Sequence, residues 1–353
     1  LIAEQTIMNR PATTLASAPP ATTGRAVDLP RTISMDAASA LVGGELQEVE
    51  QRLADLLQSS IAVIPELSGQ LAFAGGKRFR PLVALLAARA AGFIDPVRIT
   101  VAAVGELLHT ATLLHDDVID SGEYRRGRPT ARLQFGNGMA VLTGDFCLAR
   151  GLQAIAYAGR LGAVQSLADA VTRMAEGEVA QLQVAGDATL DRERYYLVID
   201  RKTAALIAWC ASLGGLVEPR IAAALHRYGL EIGYAFQIAD DVLDYTSDVD
   251  QTGKARGQDL RDGKLTLPLI LACQHDPSLR LRLLQLLADG PPQDPDAASE
   301  LVAGVAASSA VEQAAEVAEA HADAAVAQLI HLPDSPARDA LAALARYVAR
   351  RRT

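Results

Sequence analysis

His109-Thr-Ala-Thr-Leu-Leu-His-Asp-Asp-Val-Ile-Asp120 closes an apolar run that begins near residue 99. The spacing predicts a helix over about 99–120, and its reading decides the rest. In a helix, Asp116 and Asp120 stand one turn apart and share a face, while Asp117 points about 100° away. Two carboxylates at that spacing repel each other unless a cation sits between them. Oxygen donors beside a phosphate-bearing ligand suit Mg²⁺ best. Asp117 is expected to support the pair or to turn inward where the helix ends.

Outward from this stretch the same periodicity continues. Leu46, Val49, Leu53, Leu56 and Leu57 recur at three- and four-residue steps and mark an amphipathic helix. Residues 81–92 open with Pro81 at an expected first helical position and end in Gly92. Further helices are expected near 139–159, 163–184, 191–212, 221–247, 264–274, 278–288, 297–306, 308–330 and 336–351. Alternating strand patterns are nearly absent, and no repeat of 20–50 residues is found. The expectation is all-α: one large helical domain over 35–353. Residues 1–34 are rich in Ala, Thr and Pro and are expected to be a disordered tail.

Composition narrows the function classes. The chain has 353 residues, 33 Lys+Arg against 42 Asp+Glu, a formal charge of -9, and is 50% hydrophobic but only 4% aromatic. Half-apolar composition excludes wholesale disorder, and the acidic balance argues against a general nucleic-acid binder. Cys147, Cys210 and Cys273 are too few and too scattered for a disulfide framework, which points to a reducing cytoplasm. No transmembrane segment is expected: the best candidate, 204–217, is too short and follows Arg201 and Lys202. The N-terminus does not read as a signal peptide, since Glu4 interrupts its only short apolar start.

A second acidic motif repeats the first. Asp240-Asp241-Val242-Leu243-Asp244 follows the apolar approach Phe236-Gln237-Ile238-Ala239. Stray carboxylates inside apolar helices are expensive, so two such motifs argue for function over solvated helix ends. Opposite charge is supplied nearby. Gly75-Gly76-Lys77-Arg78-Phe79-Arg80-Pro81 is a Gly-opened basic loop before a helix, where Lys77, Arg80 and the helix N-terminus form a plausible diphosphate cradle. Arg125-Arg126-Gly127-Arg128-Pro129 follows five residues after Asp120. Together these suit an oligophosphate bound partly through metal. His109, two turns before Asp116, can donate to a phosphate oxygen or serve as a core residue; His115 reads as a packing or orienting residue. Arg350-Arg351-Arg352 reads as a frayed basic tail, with closure of the site as the alternative.

These segments resemble the trans-isoprenyl diphosphate synthases, or polyprenyl synthetases. The resemblance rests on six ordered motifs: Gly75–Pro81, His109–Asp120, Arg125–Thr130, Gly144-Asp145-Phe146, Arg201-Lys202-Thr203-Ala204 and Phe236–Asp244. It continues through Gly257-Gln258-Asp259-Leu260 to Gly263-Lys264-Leu265-Thr266-Leu267-Pro268. It covers the chain from about residue 45 to the C-terminus.

The resemblance implies the isoprenoid synthase fold, with helices around a deep apolar cavity and the two Asp motifs facing each other at its mouth. It implies three Mg²⁺ ions. Asp116 and Asp120 would bind two and Asp240 the third, with Asp117, Asp241 and Asp244 in support. Lys77, Arg80, His109 and Arg126 would bind isopentenyl diphosphate. Arg125, Lys202, Thr203, Gln237, Lys254 and Lys264 would bind the allylic diphosphate. It also implies a homodimer, for which the apolar helices around 139–184 could supply the interface, and it leaves room for peripheral membrane contact on product release.

Product length is a question of depth. Leu108, Ala111 and Thr112 precede Asp116 on its helix, and aromatics at 111 or 112 would block a growing chain. Ala111 and Thr112 leave the way open, so the expected product exceeds geranylgeranyl length, with Leu108 or residues 146–149 setting the floor. The alternatives are a short-chain farnesyl or geranylgeranyl synthase, a non-catalytic subunit of a heteromeric synthase, and a class I terpene cyclase. The last lacks the Gly75–Pro81 loop and usually replaces the second Asp motif.

Overall fold

In the computed structural model, residues 35–125, 127–187, 189–246, 256–288, 290–292 and 294–351 are described. The expected tail 1–34, Arg126, Lys254 and Arg352 lie outside them. The chain runs through α1 (Met35–Leu41), α2 (Gly43–Leu56), α3 (Val63–Ala72), α4 (Phe79–Ala90) and α5 (Val97–Ile119). A two-residue hairpin follows, β1 (Tyr124–Arg125) pairing antiparallel with β2 (Arg128–Pro129). Then come α6 (Ala131–Phe135), α7 (Asn137–Tyr157), α8 (Leu161–Val184), α9 (Arg192–Ile199), a π turn (Asp200–Ala204), α10 (Ala205–Ala211) and α11 (Pro219–Thr246). The C-terminal part holds α12 (Gln258–Arg261), α13 (Leu267–His275), α14 (Pro277–Leu286), α15 (Pro295–Ala306), α16 (Ala310–Gln328) and α17 (Pro336–Arg350).

The all-α expectation is met, and the long helices fall within a few residues of their expected bounds. One continuous core reaches from Ala38 to Ala349. Two helices organise it. The first, α5, packs against α2, α3, α4 and α7; the second, α11, packs against α10, α16 and α17. Small residues sit where helices approach closely. A Cβ on Gly105 of α5 would lie 2.4 Å from Cys210 Sγ of α10, so any larger residue there would force the two helices apart.

Three sequence expectations need correction. Pro81 is the third residue of α4, not the first, because Arg78 turns into the left-handed region (φ 46°) and Phe79 already begins the helix. The expected helix 191–212 is not uniform: a π turn interrupts it at Asp200–Ala204. The segment that best matches a membrane span in length and hydropathy is α5 rather than 204–217, yet α5 is mostly buried within the protein. A central core helix passes the same composition test as a membrane span.

The fold brings both acidic motifs to one place. A cavity of about 580 Å³ is lined from α4, α5, α7, α8, the π turn, α10 and α11. Asp116 and Asp240 both line it.

Candidate active site

Each acidic motif occupies the C-terminal end of a long helix. Such ends carry partial negative charge from aligned carbonyls, which disfavours carboxylates and favours cations. Neither α5 nor α11 has a basic residue in its last turn to compensate. Burial, reinforced by Glu178 and Asp120 against the pull of Lys202 and Arg125, pushes Asp116 up to about 6. A divalent cation would relieve this repulsion, and the donors are all oxygen. Oxygen donors of this kind suit Mg²⁺; of the expected ligands Asp116 and Asp240 line the cavity, and among the described residues no three carboxylates stand together as a ready-made metal site.

The flanking aspartates have different duties. Asp117 is 2% exposed and accepts from Arg125 Nε at 2.9 Å and Nη2 at 2.8 Å. It turns away from the cavity, and its other oxygen, Oδ2, is buried without a hydrogen-bond partner. Asp241 is also buried. It accepts from Tyr195 Oη at 2.6 Å and from Gln237 Nε2 at 2.9 Å, and burial, with Asp259 nearby, raises its pKa well above the usual range. Asp244 accepts the backbone amides of Gln258 (3.1 Å) and Asp259 (3.2 Å), so it caps α12 from the end of α11. These geometries give supporting work to three of the six motif aspartates.

The basic residues divide in the same way. Arg80 and His109 line the cavity. Burial pulls Arg80 down from its ordinary value, with Glu106 opposing, and its Nε is buried without a hydrogen-bond partner. Arg78 is structural: it bonds Glu50, Glu106 and the Ala72 carbonyl, and so locks the loop that presents Lys77 and Arg80. Lys77 Nζ donates to Tyr347 Oη of α17 at 2.5 Å. Arg125 is engaged with Asp117 and lines a smaller pocket beside α3, although its charge still reaches Asp116.

Lys202 and Thr203, on the π turn, line the cavity with Gln237. Lys202 Nζ pairs with Glu178 at 2.6 Å, and Thr203 Oγ1 donates to Gln237 Oε1 at 2.8 Å. Lys264 lies 3.7 Å from Asp120 and 3.2 Å from Asp262. Burial pulls its pKa down, but Asp120, Asp262 and Asp259 outweigh it and raise it. Below the charged rim the cavity is apolar, with Leu148, Val171, Met174 and Leu206 on its walls. Thr112 lines it, whereas Ala111 and Leu108 are fully buried in the packing beside it. His115 fits against Gly144, where any Cβ would lie 2.3 Å from its Nε2.

Three residues in or near the cavity were given no definite role by the sequence; of them Glu178 lines it. Glu178 has no motif signal beyond its helical register. Asp259 stands in the Gly257–Leu260 motif, which assigns it no role, and burial beside Asp244 pushes it up to about 7. Arg351 is not a frayed end: it pairs with Asp240, donates to the Phe236 carbonyl at 2.8 Å, and stacks 3.9 Å from the Phe236 ring.

The Asp259 shift has a testable consequence for the metal-free protein. A carboxyl whose folded pKa lies above its unfolded value binds protons more readily when folded. Its favourable contribution is complete below the unfolded pKa near 3.8 and is lost as pH rises through about 7. Asp259→Asn is therefore expected to raise the melting temperature in EDTA most at pH 8, with the gain shrinking toward pH 4. Thermal melts across that range check it, and a gain independent of pH would contradict it.

The family model described as "Polyprenyl synthetase" matches residues 62–305. The chain belongs to the polyprenyl synthetase family. It is 37% identical over 322 residues to the octaprenyl diphosphate synthase of Escherichia coli K12, covering 90% of this chain and 99% of that protein. It is 37% identical over 338 residues to the nonaprenyl diphosphate synthase of Mycobacterium tuberculosis, covering 94% and 98%. Among solved structures, the Caulobacter crescentus polyprenyl synthase complexed with calcium and isoprenyl diphosphate superposes with a TM-score of 0.86. That pair is 36% identical, covering 92% of this chain and 100% of that one. The Rhodobacter capsulatus decaprenyl diphosphate synthase gives a TM-score of 0.83 at 37% identity, covering 90% and 98%. This polyprenyl synthetase is thus a trans-prenyltransferase with the all-α isoprenoid synthase fold.

Proposed function

We propose that this polyprenyl synthetase condenses isopentenyl diphosphate with an allylic diphosphate and elongates the product beyond C20. The observation that supports this most is the convergence of Asp116, Asp240, Arg80 and Lys202 on one cavity whose deeper walls are apolar. The allylic diphosphate takes the side of Asp116, Asp240, Lys202, Thr203 and Gln237, with Arg125 and Lys264 near the acidic motifs; Lys254 is assigned to it from the family resemblance alone. Isopentenyl diphosphate takes the side of Lys77, Arg80 and His109; Arg126 is assigned to it from the family resemblance alone. Mg²⁺, expected as three ions on Asp116, Asp120 and Asp240, supplies Lewis-acid stabilisation of the leaving diphosphate when bound.

The chain's own residues do the rest. Lys202 and Arg80 set fixed positive charge beside the two diphosphates, where the oxygens gain charge as the allylic C–O bond ionises. The bonding electrons leave with diphosphate. The double bond of isopentenyl diphosphate attacks the allylic cation, and the proton released from the new chain passes to a diphosphate oxygen. No protein nucleophile is needed, and the three buried thiols take no part. The apolar walls keep water from the cation.

Three further readings belong here. The outer faces of α7 and α8 present Leu142, Leu152, Val179 and Leu182, all about half exposed or more, which supports a homodimer built on these helices. The three free, buried thiols support a reducing, cytoplasmic setting. A product this apolar is expected to leave through peripheral contact with a membrane. The basic activity is tested by incubating the protein with labelled isopentenyl diphosphate and geranyl or farnesyl diphosphate, with Mg²⁺ or with EDTA. Metal-dependent transfer is expected. Absence of transfer with every primer would contradict the reading and favour a non-catalytic subunit.

A further inference from the structure

The π turn that carries Lys202 and Thr203 is held from behind by groups that no step above uses. A π turn is a locally less stable widening of the helix, and it persists only where the surroundings fix it. Relaxing it to an α-turn would remove one residue's worth of rotation, about 100°, between α9 and α10. Lys202 and Thr203 could not then both face the cavity.

Both walls of the turn are built to prevent this. On α8, a Cβ at Gly177 would lie 2.6 Å from the Lys202 amide nitrogen; on α11, a Cβ at Gly233 would lie 2.6 Å from Ala204 Cα. The backbone of the turn is therefore seated between two glycine notches. Beside each notch stands a polar clamp. One turn before Gly177, Arg173 Nη2 donates to Asp200 Oδ2 at 2.5 Å. Next to Gly233, Tyr234 Oη donates to Asp200 Oδ1 at 2.7 Å. Both carboxylate oxygens of the turn's first residue are thus tied, one to each wall.

The clamp is itself braced. The Tyr234 ring packs against Tyr196 (centroids 6.1 Å apart) and His321 (5.2 Å). His321 is 1% exposed; its Nδ1 lies 2.6 Å from Glu231 Oε2 and its Nε2 3.1 Å from Tyr196 Oη. Helices α9, α11 and α16 are so joined behind the turn.

We propose that Asp200, clamped by Arg173 and Tyr234, is a positioning residue for allylic diphosphate binding: it holds the π turn open so that Lys202 and Thr203 face the substrate together. This rests on the assignment of Lys202 to the allylic side. Asp200 does not line the cavity, and its influence should fall on one ligand only. The isopentenyl diphosphate cradle has Lys77 in the loop before α4, Arg80 on α4 and His109 on α5, and the clamp's hydrogen bonds run instead to α8 and α11.

The test compares Asp200→Ala with wild type by calorimetric titration, in Mg²⁺, of a poorly ionising farnesyl thiodiphosphate and, separately, of isopentenyl diphosphate. The thiodiphosphate is expected to bind about tenfold more weakly, while isopentenyl diphosphate changes less than about twofold. If Asp200→Ala does not fold, Arg173→Met carries the same comparison from the outer side of the clamp. Lys202→Ala is titrated in parallel. Unchanged thiodiphosphate affinity in the clamp variants beside a lowered melting temperature, or equal weakening of both ligands, would overturn the positioning role. Unchanged affinity in Lys202→Ala would instead overturn the assignment on which it rests.

Discussion

Asp116→Asn is expected to lower kcat by about three orders of magnitude. The change is isosteric, so the packing of α5 is kept and the effect is electrostatic. Asp116 is held near 6 by burial among Glu178 and Asp120, at a helix end without basic compensation. Its charge is tolerable only if a cation answers it, and the amide would no longer attract one. A thousandfold loss corresponds to about 4 kcal/mol of transition-state stabilisation. Asp117→Asn is a useful contrast, since Asp117 faces Arg125 rather than the cavity. It should cost less activity and more stability. Steady-state kinetics over a range of Mg²⁺ concentrations check both, and equal losses in the two variants would contradict the division of roles within the motif.

The second large effect is on product length. Thr112 lines the cavity one turn from Asp116, and Ala111 is fully buried beside it. Thr112→Phe would place a ring directly in the path of a growing chain. Ala111→Tyr must find room for a ring where the packing leaves none, and the cavity beside Thr112 is the nearest space. Overpacking of this kind costs about 1–3 kcal/mol of stability, which a chain of this size can bear. Both variants are expected to stop at C20 or shorter. Mass spectrometry of the products checks this; unchanged length in Thr112→Phe would show that the chain grows along a different wall.

Much of the site was legible because its parts are contiguous in sequence. Asp116–Asp120 and Asp240–Asp244 each occupy little more than one helical turn, so spacing alone shows which carboxylates share a face. The helical periodicity likewise located α5, α7, α8, α11, α16 and α17 closely. What spacing could not show is where a helix changes its winding. Nothing in Asp200-Arg201-Lys202-Thr203 announces a π turn, because its cause lies in two glycine notches and a carboxylate clamp contributed by α8 and α11. Arg351 was missed for a similar reason. Its pairing with Asp240 joins residues over a hundred positions apart, and in sequence a C-terminal arginine run looks like solvated charge. Arg125 shows another limit of spacing: its closeness to Asp120 in sequence did not show that the turn after α5 pairs it with Asp117. Motif spacing thus pointed to the chemistry, while the contacts behind the cavity that orient Lys202 and Thr203 depended on tertiary packing.

The most direct measurement is the mass of the end product when the wild-type protein is given farnesyl diphosphate, excess isopentenyl diphosphate and Mg²⁺. Polyprenyl diphosphates longer than C20 are expected. A reaction that stops at C20 would contradict an open channel beside Thr112 and Ala111, and would make this a short-chain synthase.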